Sequence, residues 1–280
     1  MPDPVRTHVV TVAGVRTPVA ERGPADATEA VVFVHGNPGA GEDWAGLQGR
    51  LPDGIRAIAP DMPGFGSADA PEDFDYTVDG YATHLAGLLD ALGITRAHLV
   101  LHDFGGPWGL AWAARRPAQV GSLVLLNTGA LVDYSWHRLA RIWRTPVVGE
   151  ILMALSFRPV LERALALENP RLPKADLVRV AGQLTSPGTK RAVLRLYRAT
   201  DPAGMAADIE ALRAVEAPVL VVWGTDDRYI PAVQAVRQRR TFPQAHVETL
   251  DGLGHWAFLE EPEQVASFVV PFLQEHATAG

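Results

Sequence analysis

The sequence predicts an α/β fold in which a mostly parallel sheet is flanked by helices and interrupted by a helical insertion. Three observations support this prediction. Short apolar, β-branched segments recur along the chain, helical periods separate them, and the alternation stops once, between about residues 129 and 210. Strands that alternate with helices form parallel sheets, because each crossover helix returns the chain to the same edge.

Two β-rich segments open the chain, His8–Val12 and Val15–Ala20, and the turn Ala13-Gly14 joins them. A short turn between two such segments predicts an antiparallel hairpin. Further on, continuous apolar runs predict strands that are buried on both faces of the sheet. These runs cover residues 30–34, 55–59, 98–101, 123–126 and 219–223, and another strand is predicted at 247–250.

The clearest helical period runs from Val78 to Leu92, with apolar residues spaced i, i+3 and i+4. Gly93 follows at a position suited to end the helix. A second helix is predicted from Trp108 to Arg116, and helical spacing returns late in the chain, between residues 265 and 272. Helices therefore alternate with strands on both sides of the insertion.

The insertion runs from about Gly129 to Ile209 and contains helical stretches separated by prolines, without a convincing strand. We interpret residues 129–210 as a helical cap between a first core part, 1–128, and a second core part, 211–280. Open α/β sheets bind ligands at the carboxyl edge of their strands. The cap is therefore expected to cover that edge.

Composition excludes several classes of function. The 280 residues carry a formal net charge of −7 and include no cysteine. Nucleic acids and anionic membranes need a basic surface, so neither is expected as a partner. Without cysteine there are no disulfides, no thiolate catalysis and no cysteine-ligated metals. No signal peptide or membrane-spanning run is recognisable, and we expect a cytoplasmic protein of undetermined oligomeric state.

The segment around Asp103 contains the candidate nucleophile. It passes from a predicted strand at 98–101 into the helix that begins at Trp108, through a turn containing Gly105 and Gly106. This is the pattern of a nucleophile elbow, in which a tight turn lifts one side chain above the sheet edge. No Gly-x-Ser-x-Gly motif occurs, which excludes a serine esterase unless an unmarked serine acts. Asp103 is either the nucleophile or a simple cap of the following helix.

Four further motifs occur in a fixed order along the chain. They are His35-Gly36-Asn37-Pro38, the turn at 61–67, the Gly-Thr-Asp-Asp sequence at 224–227, and the Gly-Leu-Gly-His-Trp sequence at 252–256. With the elbow, they resemble the α/β-hydrolase superfamily over nearly the whole chain. Within that superfamily the sequence resembles the epoxide hydrolases and haloalkane dehalogenases.

This resemblance implies an α/β-hydrolase fold and a role for each motif. Asp103 would be the nucleophile, His255 the base, and Asp227 the acid that orients it, with the adjacent Asp226 as the alternative. An aspartate is ionised at pH 7 and can attack saturated carbon, forming an ester that water then hydrolyses. Backbone N–H groups of Asn37 and Phe104 would stabilise the oxyanion. No cofactor or metal is expected, and no metal-ligand spacing is found.

The leaving group is not decided by these motifs. Asn37 resembles the halide-binding residue of dehalogenases, but Phe104 stands where those enzymes carry a tryptophan N–H. Tyr197, in a Tyr-Arg context, resembles the tyrosine that protonates an opening epoxide, although it could be an ordinary cap residue. His102 also resembles the epoxide hydrolases, while Tyr134 falls too early to be their second cap tyrosine.

We therefore expect a hydrolase that opens small apolar epoxides to diols with water. A haloalkane dehalogenase is the alternative. A non-catalytic homologue that only binds small molecules is the alternative from another class, and the intact Asp103, Asp227 and His255 argue against it.

Overall fold

The computed structural model describes residues 3–201 and 209–277 and contains one eight-stranded sheet. Its strands lie side by side in the order β1-β2-β4-β3-β5-β6-β7-β8. Their bounds are β1 Arg6–Val12, β2 Val15–Arg22, β3 Glu29–Val34, β4 Ala57–Pro60, β5 Arg96–His102, β6 Val120–Leu126, β7 Val219–Gly224 and β8 His246–Leu250.

The sheet is mostly parallel, as predicted. Strand β2 pairs antiparallel with both β1 and β4, and the predicted hairpin is confirmed. Every pair from β4 through β3, β5, β6 and β7 to β8 is parallel. After β3 the chain moves to β4 on one side and then returns to β5 on the other. The loops that follow β3 and β5 therefore meet at a switch point, where open α/β sheets bind ligands.

Helices cover both faces of the sheet. Helices α2 and α3 pack on one face, whereas α1 and α12 pack on the other. The helices are α1 Ala45–Gln48, α2 Val78–Ala91, α3 Gly105–Arg115, α4 Arg138–Arg144, α5 Val148–Leu155, α6 Arg158–Glu168, α7 Lys174–Gln183, α8 Pro187–Ala199, α9 Ile209–Arg213, α10 Val233–Arg237, α11 Ala257–Glu260 and α12 Pro262–His276.

The core consists of two apolar layers that share the central strands. Along β5, Leu99 and Leu101 point to the layer under α2 and α3, and Val100 points to the layer under α12. This alternation follows from the two-residue period of a strand. Because both faces are covered, the strands are apolar on both sides and read as continuous apolar runs in the sequence.

Several predicted boundaries differ from the structure by one to three residues, and two of these differences have a clear physical reason. Strand β4 begins at Ala57 rather than Ile55, because Ala57 is the first residue that pairs with β2 and β3. Ile55 is buried without being part of the ladder, and an apolar pattern reports burial rather than pairing. Helix α3 begins at Gly105 rather than Trp108, since the Trp108 N–H already donates to the Phe104 carbonyl, 3.1 Å away.

Five helices, α4 to α8, lie between β6 and residue 201. The described residues from 127 to 201 and from 209 to 218 form helices, turns and loops, in agreement with the sequence pattern. The division into a core and a cap at 129–210 stays a prediction. Residues 202–208, near the end of the predicted cap, lie outside the described residues.

Helix α2 ends as the sequence predicts. Gly93 has a φ of +68°, and its N–H donates to the Asp90 carbonyl. The N–H of Ile94 donates to the Leu89 carbonyl at 2.9 Å, which completes a Schellman motif. The left-handed conformation at Gly93 is costly for any residue with a Cβ.

Two glycine-to-alanine variants should therefore change stability in opposite directions. Gly93→Ala should lower the free energy of unfolding by about 1 kcal/mol, because alanine resists a positive φ. Gly182→Ala, inside α7 with open space around its Cα, should raise it by about 0.5–1 kcal/mol, because alanine is the better helix former. Urea unfolding measures both, and changes of the same sign would contradict this account of the helix end.

Candidate active site

The nucleophile elbow has the tight geometry that the sequence predicts. Asp103 follows β5 and has a φ of +49°, a strained value for a residue with a side chain. A Cβ on Gly105 would lie 2.2 Å from the Val34 carbonyl oxygen, and one on Gly106 would lie 2.0 Å from Oγ1 of Thr128. The turn can form only because these two positions have no side chain.

The loop after β3 holds the Asp103 carboxylate in place. The backbone N–H of Asn37 donates to Oδ1 of Asp103 at 2.6 Å. A Cβ on Gly36 would lie 2.3 Å from that same oxygen and 2.6 Å from the backbone nitrogen of Phe104. The structure therefore brings together Asn37, Phe104 and Asp103, as the sequence analysis expected.

His255 lies between two buried carboxylates. Its Nδ1 is 2.7 Å from Oδ2 of Asp227, and its Nε2 is 3.5 Å from Oδ2 of Asp103. Oδ1 of Asp227 accepts hydrogen bonds from the backbone N–H groups of Tyr229 and Ile230, at 2.8 and 2.9 Å. The Asp227 carboxylate is thus held by the backbone of its own loop, and it holds the imidazole of His255 in turn.

The structure resolves which of the two adjacent aspartates contacts His255. Asp227 is buried, whereas Asp226 is exposed. Asn127 directly follows β6. Its Nδ2 donates to Oδ2 of Asp227 at 2.9 Å, and its Oδ1 accepts from the Gly224 N–H at 3.2 Å. Asn127 therefore supports the acid from the neighbouring strand.

The charges of the three residues stabilise one another. Burial by itself raises the pKa of Asp103, but its contact with His255 and the Asn37 N–H outweigh burial and lower that pKa. Burial by itself lowers the pKa of His255, but the charge of Asp227, with the contacts to both carboxylates, raises it. At neutral pH the site thus holds an imidazolium between two carboxylates.

His102, directly before Asp103, has a different role from its neighbours. Burial, together with the charge of His255, lowers the pKa of His102 to about 3, so the ring is neutral at pH 7. Its Nε2 lies 2.9 Å from the carbonyl oxygen of His255. A neutral ring can donate this hydrogen bond, which ties the loop carrying His255 to the elbow.

Helix α8 places Tyr197 over the elbow. The side chain is buried, and its ring meets the Phe104 ring edge-on at 5.0 Å. Nδ2 of Asn37 donates to the Tyr197 hydroxyl oxygen across 3.4 Å. Burial and the charge of Asp103 raise the pKa of Tyr197 well above its ordinary value, so the phenol keeps its proton. Its hydrogen makes no hydrogen bond to another described residue.

Two further tyrosines lie beside the site. Tyr134 falls too early in the sequence for the second cap tyrosine of the epoxide hydrolases, yet the structure places it on a small cavity that Asp103 also lines. The Tyr134 hydroxyl donates to the Tyr229 carbonyl at 3.2 Å, so its hydrogen is already bound. Tyr229, which the sequence analysis did not consider, lies with its ring centroid 5.0 Å from that of His255.

His137 is a site residue that the sequence analysis missed. It precedes α4, and its Nδ1 accepts a hydrogen bond from the Ala140 N–H at 3.3 Å. Burial is the main reason that the pKa of His137 falls to about 4, so the ring is neutral at pH 7. Because Nδ1 is an acceptor, the single ring hydrogen lies on Nε2. A histidine in the turn before a predicted helix was the available signal.

Two adjoining spaces lie above Asp103. The main cavity encloses about 40 Å³ and the side compartment about 10 Å³. Both are lined by Asp103, His137, Tyr197 and Tyr229. The main cavity is otherwise lined by Asn37, Pro38, Leu139, Trp143, Leu165, Leu184, His255 and Trp256. The side compartment adds Phe104, Leu131, Tyr134, Trp136 and Ile230. Among the described residues, no lysine or arginine lines either space.

Within residues 3–201 and 209–277, no group of three or more histidine, aspartate or glutamate side chains is arranged to hold a metal ion. In the same part of the chain, no helix has both the length and the apolar character needed to cross a bilayer.

Comparison with known proteins agrees with this fold. Residues 29–262 match the family model described as the alpha/beta hydrolase fold. The chain belongs to the α/β-hydrolase family. It is 30% identical over 273 residues to 2-hydroxy-6-oxo-2,4-heptadienoate hydrolase of Pseudomonas putida, across 95% of both proteins. This similarity, with the family match, identifies the protein as a hydrolase.

Two solved structures resemble this α/β-hydrolase closely in fold. An epoxide hydrolase from Vigna radiata has a TM-score of 0.78 and 22% identity, covering 97% of this chain and 98% of its own. A meta-cleavage product hydrolase from Pseudomonas fluorescens IP01 also has a TM-score of 0.78, with 24% identity and coverage of 96% and 97%. At such identities the resemblance shows the shared fold and leaves the substrate open.

Replacing each aspartate of the acid loop should distinguish their roles. Asp227→Asn should lower the pKa of His255, because it removes a negative charge that favours the imidazolium. Asp226→Asn, a matched change at an exposed position, should leave the pKa of His255 unaltered. Nuclear magnetic resonance titration of the His255 ring measures both. An equal effect of the two substitutions would contradict the assignment of Asp227.

Proposed function

We propose that this α/β-hydrolase opens small, uncharged epoxides through a covalent ester on Asp103. The position of the Asp103 carboxylate is the observation that carries the proposal. It lies at the elbow, accepts the Asn37 N–H at 2.6 Å, lies 3.5 Å from His255 and lines the main cavity. A carboxylate with a lowered pKa is unprotonated without any base, so it can attack saturated carbon directly.

The first step breaks a carbon–oxygen bond of the epoxide. An oxygen of Asp103 forms the new bond to carbon, and the ring oxygen takes the electron pair and needs a proton. Tyr197 supplies this proton. Its phenol is protonated, and the hydroxyl hydrogen is not donated to any other described residue. The Nε2–H of His137 is a second donor on the same cavity. Paired neutral donors suit an oxygen whose negative charge grows in the transition state.

The second step hydrolyses the ester. Esterification removes the charge of Asp103, one of the interactions that raise the pKa of His255. The imidazolium then releases its proton more easily, and the neutral ring can accept a proton from water. The water oxygen attacks the ester carbonyl, whose developing charge faces the N–H groups of Asn37 and Phe104. The proton released by His255 restores Tyr197, so each turnover consumes one water.

The cavity distinguishes this proposal from the activity named for the Pseudomonas putida relative. The name of that enzyme's substrate, a heptadienoate, includes a carboxylate. Here no lysine or arginine among the described residues lines the main cavity, Asp103 adds a negative charge, and the imidazolium of His255 is already paired with Asp103 and Asp227. A carboxylate would therefore lose its hydration without gaining a partner. The apolar lining of the cavity favours a small neutral organic substrate. A cytoplasmic location of the protein stays a prediction.

Tyrosine-to-phenylalanine variants test the proton donor. Tyr197→Phe should reduce epoxide turnover about 10²- to 10⁴-fold, the usual loss when a general acid is removed. Tyr134→Phe is the matched control, because that hydroxyl is bound to a backbone carbonyl. It should cost less than about tenfold, the equivalent of one neutral hydrogen bond. Diol formation from 1,2-epoxybutane measures both; similar losses in the two variants would remove Tyr197 as the acid.

Replacing His255 tests the covalent mechanism. Because His255 acts only in the second step, His255→Gln should form the ester and fail to hydrolyse it. Intact mass spectrometry after mixing with 1,2-epoxybutane should show a gain equal to the whole epoxide, on the peptide that contains Asp103. The double variant with Asp103→Asn should show no gain. An unmodified His255→Gln protein that is folded and inactive would mean that histidine is needed before ester formation, as in a serine enzyme.

A further inference from the structure

Helices α5 and α6 expose an apolar surface on the side that faces away from the core. Among the described residues, seven large apolar side chains between positions 147 and 167 are 44–67% exposed. We call these seven residues the outer face. They are Val147, Val148, Ile151, Leu155, Phe157, Val160 and Leu167.

The spacing of these residues places them on one side of each helix. The three that lie within α5 are spaced i, i+3 and i+7, and the two that lie within α6 are spaced i and i+7. The opposite sides of the two helices pack inward, because Met153 of α5 and Leu161 of α6 contact the same apolar layer. Only two residues of chain separate the helices. The exposed sides of α5 and α6 therefore form one surface.

Helix α5 is apolar around almost its whole circumference. Its sequence, Val-Gly-Glu-Ile-Leu-Met-Ala-Leu, includes one charged residue, and a helix of this kind is normally buried on every side. The outer face presents on the order of 700 Å² of apolar area, more than the ~300–600 Å² of the largest patch on a typical monomer. The outer face therefore has the size of an interaction surface.

We propose that the outer face binds the outer face of a second copy of this chain, so that the protein is a two-fold symmetric dimer. In such a dimer one patch meets itself. Its apolar area is already close to the ~800 Å² that each partner buries in an interface of standard size. Phe157, between α5 and α6, adds an aromatic side chain, a type enriched in such interfaces. The inference does not depend on the chemistry of Asp103.

The charges beside the outer face fit a second copy better than a membrane. Glu150 is bound by Arg198, whose guanidinium nitrogens lie 2.6 and 2.8 Å from its two oxygens, and Glu162 is bound by Arg158 at 3.0 Å. Because these charges are paired within one chain, two identical faces can approach without strong repulsion. An anionic membrane would require an excess of basic residues, whereas residues 147–168 include three glutamates and two arginines.

Analytical ultracentrifugation of charged variants tests the dimer. The wild type, with a chain of 30.2 kDa, should sediment as a dimer at micromolar concentration. Val148→Glu combined with Val160→Glu should weaken association at least about 100-fold, because like charges would be forced together in an apolar interface. Val233→Glu combined with Val236→Glu is the matched control. It makes the same change at valines of α10 that are 50% and 53% exposed, and it should remain a dimer.

Two further measurements separate the apolar contact from other causes of association. Phe157→Ala, which adds no charge, should raise the dissociation constant of the dimer at least about tenfold. The melting temperature of the wild type should rise with protein concentration, because dimerisation stabilises the folded chain. High salt should leave the dimer intact, because an apolar contact is not screened by ions.

Three outcomes would overturn the proposal. The first is a wild type that sediments as a single chain at every concentration. The second is equal weakening by the two double variants, which would mean that added charge, rather than its place, separates the copies. The third is a monomeric wild type that floats with phosphatidylcholine vesicles while the Val148→Glu, Val160→Glu variant does not. That result would identify a lipid bilayer, and not a second copy, as the occupant of the outer face.

Discussion

The site depends on one imidazolium held between two buried carboxylates. Asp103 and Asp227 are both withdrawn from water, and a buried charge that loses its partner costs about 3–5 kcal/mol. His255 contacts one oxygen of each carboxylate, and Asn127 donates to the same oxygen of Asp227. The other oxygen of each carboxylate accepts from backbone N–H groups. The loops after β3, β5, β6, β7 and β8 must therefore meet at one edge of the sheet, and the order of the strands makes this possible.

The helices between β6 and residue 201 complement this charged edge with neutral donors. Tyr197 and His137 both line the cavity above Asp103, and burial keeps the first protonated and the second uncharged. Neutral donors are suited to a leaving atom that becomes negative, because they stabilise the new charge without attracting a charged substrate. The chemistry is thus divided between a charged sheet edge and an uncharged, mostly apolar cover.

Much of this arrangement was predictable from the sequence. Continuous apolar runs indicated strands buried on both faces, and the glycines of the elbow indicated a turn that no larger residue permits. Both signals are local. An apolar run that marks a doubly buried strand and a glycine turn that marks the elbow each lie within a few consecutive residues. Asp103 and His255 could be found in this way, since each follows a strand in a recognisable turn. The first residue of β4 could not, because strand pairing depends on two distant segments.

The sequence by itself therefore determined the fold class, the elbow and the order of the motifs. The tertiary structure decided which residues meet. The resemblance favoured Asp227 but left the adjacent Asp226 as an alternative, whereas the structure buries Asp227 at the turn with Tyr229 and Ile230 and exposes Asp226. Tyr134, His137 and Trp136 reach the site because the chain after β6 folds back across the sheet edge. Such contacts join residues that no local pattern links, since their proximity follows from the packing of helices rather than from the spacing of side chains along the chain.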